Sequence, residues 1–191
     1  MFIDEARWLE QVLQSLKLLA GSKVLDIGSS TLDFRTRVQP HIDRHVFAPL
    51  RAGGVVISHL DARAEPGVDI VADITTLEGV PSDFDAVICT SLLEHVVDRA
   101  DTAKNICRVV KPGGVLILTV PQRYPLHYDP IDTGYRPKPE QLSELVRWSG
   151  VIERRSLTIR ETAHYRGKRW PRRWLWPWQI SCLVVRKPQL D

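Results

Sequence analysis

The chain has 191 residues, 43% of them hydrophobic and 26% charged, enough for one well-buried core and unlike a disordered, collagen-like or repeat protein. No run approaches the roughly 18 apolar residues of a membrane-spanning helix, and the opening MFIDEARW is acidic and amphipathic, so neither a signal peptide nor a transmembrane span is expected. The net charge of +3 hides an asymmetry: residues 1–161 carry 19 Lys+Arg against 22 Asp+Glu, while residues 162–191 carry 7 against 1.

Leu9, Val12, Leu13, Leu16 and Leu19 recur at three- and four-residue spacing and Gly21 follows, which predicts an amphipathic helix over residues 4–20, within an N-terminal helical unit of 1–20. KVLDIG (23–28) reads as a short apolar strand. GVVISHLD (54–61) and VDIVAD (68–73) read the same way, and all three runs carry an acidic residue at or near their ends. FDAVICT (84–90) and GGVLILTV (113–120) are continuously apolar and β-rich, as strands covered on both faces are. Between these two a helix is expected over 98–110, stopped by Lys111-Pro112-Gly113-Gly114. Another should start at Pro139-Glu140 and run through Leu142, Leu145 and Val146 to Gly150. Two last strands, near 151–161 and 179–186, complete the pattern.

Strands alternating with helices imply an α/β fold, an open doubly wound sheet with helices on both faces, in which ligands bind beyond the carboxyl ends of the strands. Asp26, Asp61, Asp73, Thr90 and the segment after Val120 then share one rim. Three carboxylates at strand ends can serve as turn formers or caps. They can equally accept hydrogen bonds from ribose hydroxyls or an adenine amine. Gly28 lets the chain pass close to a ligand, but Ser29, Ser30 and Thr31 stand where a dinucleotide or phosphate loop would carry more glycine, which disfavours a pyrophosphate cradle. Cys89, Cys107 and Cys182 lack metal or redox spacing and read as reduced thiols in a cytoplasmic protein. The six histidines show no HxxxH or HExxH pattern, so no metal is expected.

The order VLDIGSS, HLDAR, VADIT, FDAVICTSLLEHV, RVVKPGGVLILTVP resembles the class I S-adenosylmethionine-dependent methyltransferases over residues 20–121, and more loosely to the end. The resemblance implies a single domain over 1–191 with a mostly parallel seven-stranded sheet, the last strand antiparallel, and S-adenosylmethionine as cofactor. Carried over by position, Asp26, Gly28, Ser29 and Ser30 would lie beside the methionine part, Asp61 would bind the ribose, Asp73 and Ile74 would flank the adenine, and Thr90 would sit under the cofactor. The usual DxGxGxG is here only DIGSS.

LLEHV (92–96) is similar to a segment of small-molecule members, with His95 as a capping residue or a base. The stretch PQRYPLHYDPIDTGYRPKPEQL resembles one in methyltransferases of cell-surface glycan and natural-product pathways, with Thr133, Gly134 and Lys138 departing from it. Its His127, Asp129 and Asp132 are the candidates to orient or deprotonate an acceptor, His127 as base and an aspartate orienting it, because an imidazole with a pKa near 6.5 takes a proton at neutral pH. Alternatively, DP and YRP merely form turns.

HYRGKRWPRRWLWPW (164–178) holds five Lys+Arg and four of the six tryptophans, and in such a fold 162–178 is an insertion between the last two strands. Three readings compete for it: contact through 166–178 with a membrane surface or lipid-linked acceptor, which would make the protein membrane-peripheral, a homodimer contact, and single-stranded nucleic acid. Nucleic acid is disfavoured by the acidic body. The expected function is O-methylation of a small molecule or saccharide, with RNA methylation and a non-catalytic cofactor-fold binding protein as alternatives.

Overall fold

A computed structural model describes residues 1–128, 131–160 and 177–189. Its first helix, α1 (Ile3–Leu16), buries Ala6, Leu9, Val12 and Leu13, and the chain leaves it through Lys17 in the left-handed conformation. It ends four residues before the expected limit.

Seven strands among the described residues form one sheet: β1 (Lys23–Ile27), β2 (Val56–Asp61), β3 (Ile70–Val71), β4 (Phe84–Thr90), β5 (Val110–Arg123), β6 (Gly150–Ile159) and β7 (Trp178–Arg186). Their order is β3-β2-β1-β4-β5-β7-β6. The pairs among β1 to β5 are parallel, and β7 runs antiparallel to both β5 and β6, as expected of the last strand.

Alternate residues of the central strands feed two cores, as the period-2 pleat requires. Val24, Ile88, Ile117 and Val184 pack against α1 and the helical stretch before β2. Leu25, Val87, Leu116 and Leu183 pack against α2 (Arg99–Val109) and α3 (Pro139–Val146) on the other face. The sheet is therefore doubly wound.

Three local outcomes add to the sequence expectation or differ from it. Residues 34–52 form wide and ordinary helical turns (Phe34–Val38, Pro40–Ile42, Asp43–Phe47, Ala48–Ala52), because Pro40 and Pro49 lack the N–H that a continuous ladder needs. β3 shrinks to two residues, since Asp73 turns the chain by accepting from Thr75. Lys111-Pro112-Gly113-Gly114 does not separate helix from strand but lies inside β5, which pairs with β4 across a register shift between Phe84 and Ala86. Cys89 and Cys182 are buried and Cys107 half-buried, all as thiols, with burial pushing Cys107 up to about 12. Among the described residues no helix is long and apolar enough to cross a membrane.

Candidate active site

The carboxyl ends of β3, β2, β1 and β4 lie side by side, so Asp73, Asp61, Gly28 and Thr90 follow one another along a single rim. Gly28 has φ +77°, which favours glycine for its backbone freedom, and an added Cβ would stand 2.9 Å from Leu92 Cδ2 and push that side chain aside. The turn is tied to β2, with the N–H groups of Gly28 and Ser29 both donating to the Leu60 carbonyl at 2.9 Å. Ser30, also left-handed at φ +57°, donates its N–H to Asp61 Oδ2 at 2.9 Å.

Asp61 is half-exposed, and its other bond among the described residues is a 3.3 Å contact from the Arg63 N–H to Oδ1. A carboxylate has about four lone-pair sites. Asp61 thus keeps acceptor capacity of the kind that ribose hydroxyls would need. Asp73 is exposed, and Thr75 donates both its N–H and its hydroxyl to Oδ1, which lowers the Asp73 pKa and leaves Oδ2 open among the described residues. Ile74 is half-buried against the core on the α2 and α3 face. Asp26 differs from the others: it is buried, and His59 Nδ1 lies 2.9 Å from its Oδ2. That pair is set by the parallel register, which puts Asp26 opposite His59, and the His59 ring sits edge-on to Phe47. Ser29 is buried as well. These residues fit an adenosine cofactor that lacks phosphates: two carboxylates with spare acceptor sites and one tight glycine turn, with no ring of free backbone donors.

Beyond the end of β4, Ser91 takes φ +48° and a short helical turn, Leu93–His95, carries Glu94 and His95. His95 Nδ1 lies 3.0 Å from the Ile131 carbonyl, which can only accept, so Nδ1 carries the proton and Nε2 the lone pair. His127, from the segment after β5, has its ring centroid 5.1 Å from that of His95, and its Nε2 lies 3.6 Å from Asp132 Oδ2. Asp132 is committed elsewhere. Its side chain is fully buried, takes both terminal nitrogens of Arg136 and the Gly134 N–H, and is held down at about 2, first by the Arg136 hydrogen bond. Asp132 therefore binds Arg136 directly and stands 3.6 Å from His127. Asp129 lies outside the described residues, as does the insertion 162–178 except for Pro177 and Trp178; Trp178 opens β7 and packs on Tyr124 with centroids 4.9 Å apart.

The fold also brings together groupings that sequence spacing did not show. One ligand atom each from Glu94, His95 and His127 lies within 4.8 Å of the others, a grouping invisible to a search for metal motifs because it joins two loops. Glu5 of α1 is fully buried and accepts from the Thr119 hydroxyl at 2.5 Å. Arg35 is buried under the β1 loop.

Glu94 is buried, with Oε2 lacking any hydrogen-bond partner among the described groups, and burial raises its pKa to about 8. Burial also lowers that of His95. The 3.8 Å approach between them is accordingly a contact of two neutral groups near pH 7, not an ion pair. Since the folded Glu94 binds its proton more tightly than the unfolded one, the protein loses stability as pH rises from about 4.5 through about 8. Glu94→Gln cannot ionise. In urea unfolding at pH 5 and pH 8.5, the stability lost on going to the higher pH should be smaller in the variant by on the order of a few kcal/mol. Equal losses would place the Glu94 ionisation elsewhere.

Residues 51–118 match the family model described as a methyltransferase domain. The chain is 34% identical over 123 residues to a ubiquinone biosynthesis O-methyltransferase of Pseudomonas aeruginosa, covering 58% of this chain and 49% of that protein. It is 29% identical over 113 residues to a demethylmenaquinone methyltransferase of Paenarthrobacter aurescens, covering 59% and 44%. It thus spans about half the length of the curated relatives it matches. Among solved structures it is similar to a phosphoethanolamine N-methyltransferase 2 of Haemonchus contortus in complex with S-adenosyl-L-methionine (TM-score 0.61, 16% identity, 94% of this chain and 52% of that one). It is also similar to the cyclase SpnF (TM-score 0.62, 20% identity, 97% and 81%).

Proposed function

We propose that this chain, which has the class I methyltransferase fold, binds S-adenosylmethionine and methylates a small molecule at a hydroxyl oxygen. The observation that carries the reading is the rim itself: Asp61 and Asp73 with open acceptor sites beside a glycine turn, and two imidazoles at the end of β4 and after β5. Asp61 and Asp73 hold the adenosine, Gly28 to Ser30 and Thr90 line the methionine side, and Asp26 supports them from below through His59. When bound there, S-adenosylmethionine supplies a methyl group already activated by the sulfonium, so the protein has only to align an oxygen and remove its proton.

His127 takes that proton. Its side chain is about one-third exposed, and the Asp132 carboxylate beside Nε2 favours the tautomer that leaves Nδ1 as acceptor. This chemistry favours a phenol-like hydroxyl, with a pKa near that of tyrosine at about 10, over a saccharide hydroxyl, which holds its proton far more tightly. The names of the quinone-pathway relatives support the same choice. His95, edge-on to it with ring centroids 5.1 Å apart, keeps a neutral lone pair and relays or positions.

The test begins with calorimetric titration of S-adenosylmethionine, then transfer of its labelled methyl to a panel of phenols, quinols and saccharides. With an acceptor of that panel, His127→Ala should keep cofactor affinity and lower turnover about 100-fold; full turnover would remove His127 from the chemistry. Tight cofactor binding without transfer to any member would favour a second reading, prompted by the likeness to SpnF, in which the fold serves a reaction other than methyl transfer.

A further inference from the structure

We propose that Arg35 is a positioning residue that latches the cofactor loop in place of the missing glycines; this rests on the cofactor reading above. The side chain is 2% exposed and its guanidinium is shared among three backbone carbonyls. Nη1 donates to Ser29 O at 2.9 Å and to Ser30 O at 2.7 Å, and Nη2 donates to Gly67 O at 2.7 Å.

These three bonds join the loop after β1 to the turn after β2. The same two segments are tied by the Leu32 N–H donating to Pro66 O at 2.8 Å and by Ser30 N–H to Asp61. Gly67 is the counterpart on the far side: at φ +85°, an added Cβ would lie 2.5 Å from Leu32 Cβ and 3.0 Å from Arg35 Nη2. No side chain fits between the latch and its seat.

The loop needs such a device. Ser30 is left-handed, a conformation that costs a residue with a Cβ roughly 1 kcal/mol or more and that glycine adopts freely. A loop with more glycines would reach it unaided. Here Ser30 is held from both sides, its N–H by Asp61 and its carbonyl by Arg35. The bond that fixes Ser30 also fixes one oxygen of Asp61 and so aims the other at the rim. Arg35 thereby sets the orientation of the ribose acceptor without touching the ligand.

A buried guanidinium must be compensated. Burial lowers the Arg35 pKa, and the negative charges of Asp26, Asp69 and Asp43 work against that shift. Arg35 stays charged, and Asp26 gains a role beneath the loop as part of this counter-charge.

Cofactor binding measured by calorimetry tests the latch on the full chain. Arg35→Met should weaken S-adenosylmethionine affinity at least tenfold. Arg35→Lys keeps the charge but cannot span three carbonyls, so it should fall in between. Adding Ser30→Gly to Arg35→Met should recover part of the loss, because the left-handed conformation then needs no clamp. Should Arg35→Met not fold, Arg35→Lys answers alone, together with a second readout: in the ligand-free protein the Ser30 amide should exchange its hydrogen faster in the variant than in the parent. Affinities within twofold of the parent with unchanged Ser30 exchange would overturn the proposal, as would a loss that Ser30→Gly does not reduce. A parent chain with no affinity for S-adenosylmethionine would sink the cofactor reading instead, while the exchange measurement would still decide whether Arg35 holds Ser30.

Discussion

Asp61→Ala should weaken S-adenosylmethionine binding about 100-fold or more while the sheet stays folded. The carboxylate has two tasks. Its spare lone pairs accept the ribose hydroxyls, and charge-assisted bonds of that kind are worth about 1.5–3 kcal/mol each. Its Oδ2 also holds the Ser30 N–H at 2.9 Å, so alanine releases the loop as well as the ligand. Asp61→Asn separates the two: the amide oxygen can still accept from Ser30 but offers one acceptor fewer and no charge, so its loss should be smaller than that of alanine. Calorimetry on the three proteins reads both. Equal affinities would show that the end of β2 does not meet the cofactor. Because the residue is half-exposed at a strand end, thermal stability should change little, which keeps a binding defect distinct from unfolding.

The sheet was legible because its strands are short apolar runs ended by turn residues, and buried parallel strands read that way whatever their neighbours. The rim followed from it, since strand ends are places in the chain as well as in space. What the sequence could not convey were contacts between elements far apart along it. His59 pairs with Asp26 only through the β1–β2 register, and nothing in SHLD distinguishes a buried imidazole from an exposed one. Arg35 lies among DFRTRV, beside Arg37, which is exposed and paired with Asp33; the buried arginine and the solvated one look alike in sequence. Glu5 did leave a signal. It stands four residues before Leu9 on the buried stripe of α1, where a charge is out of place unless it has a partner, and that partner, Thr119, is on β5. The Glu94–His95–His127 group gave no such sign, because 127 meets 94 and 95 only when the segment after β5 folds back over the end of β4.

Asp132→Ala should destabilise the protein by about 3 kcal/mol or more, because it breaks a buried ion pair and leaves one partner behind. The Asp132 side chain is fully buried, and its two oxygens meet both terminal nitrogens of Arg136 while Oδ1 also accepts from the Gly134 N–H at 2.8 Å. Arg136 in turn donates to the carbonyls of Tyr124, Pro125 and Tyr135, so one guanidinium ties the segment carrying His127 to the segment entering α3. Alanine leaves that charge among carbonyl dipoles with no carboxylate. In a chain of this length the expected cost corresponds to a fall in Tm of roughly 6–12 °C. The acid dependence follows from the same pair. The Asp132 pKa is depressed to about 2, so its contribution is complete above the ordinary carboxylate value of 3.8 and is lost as pH falls through about 2. The gap between parent and variant should therefore be constant from pH 5 to 7 and narrow only below about pH 4, as read by urea unfolding. A gap of under 1 kcal/mol at pH 7, or one already closed at pH 5, would mean that Arg136 holds the segment through its carbonyl bonds alone.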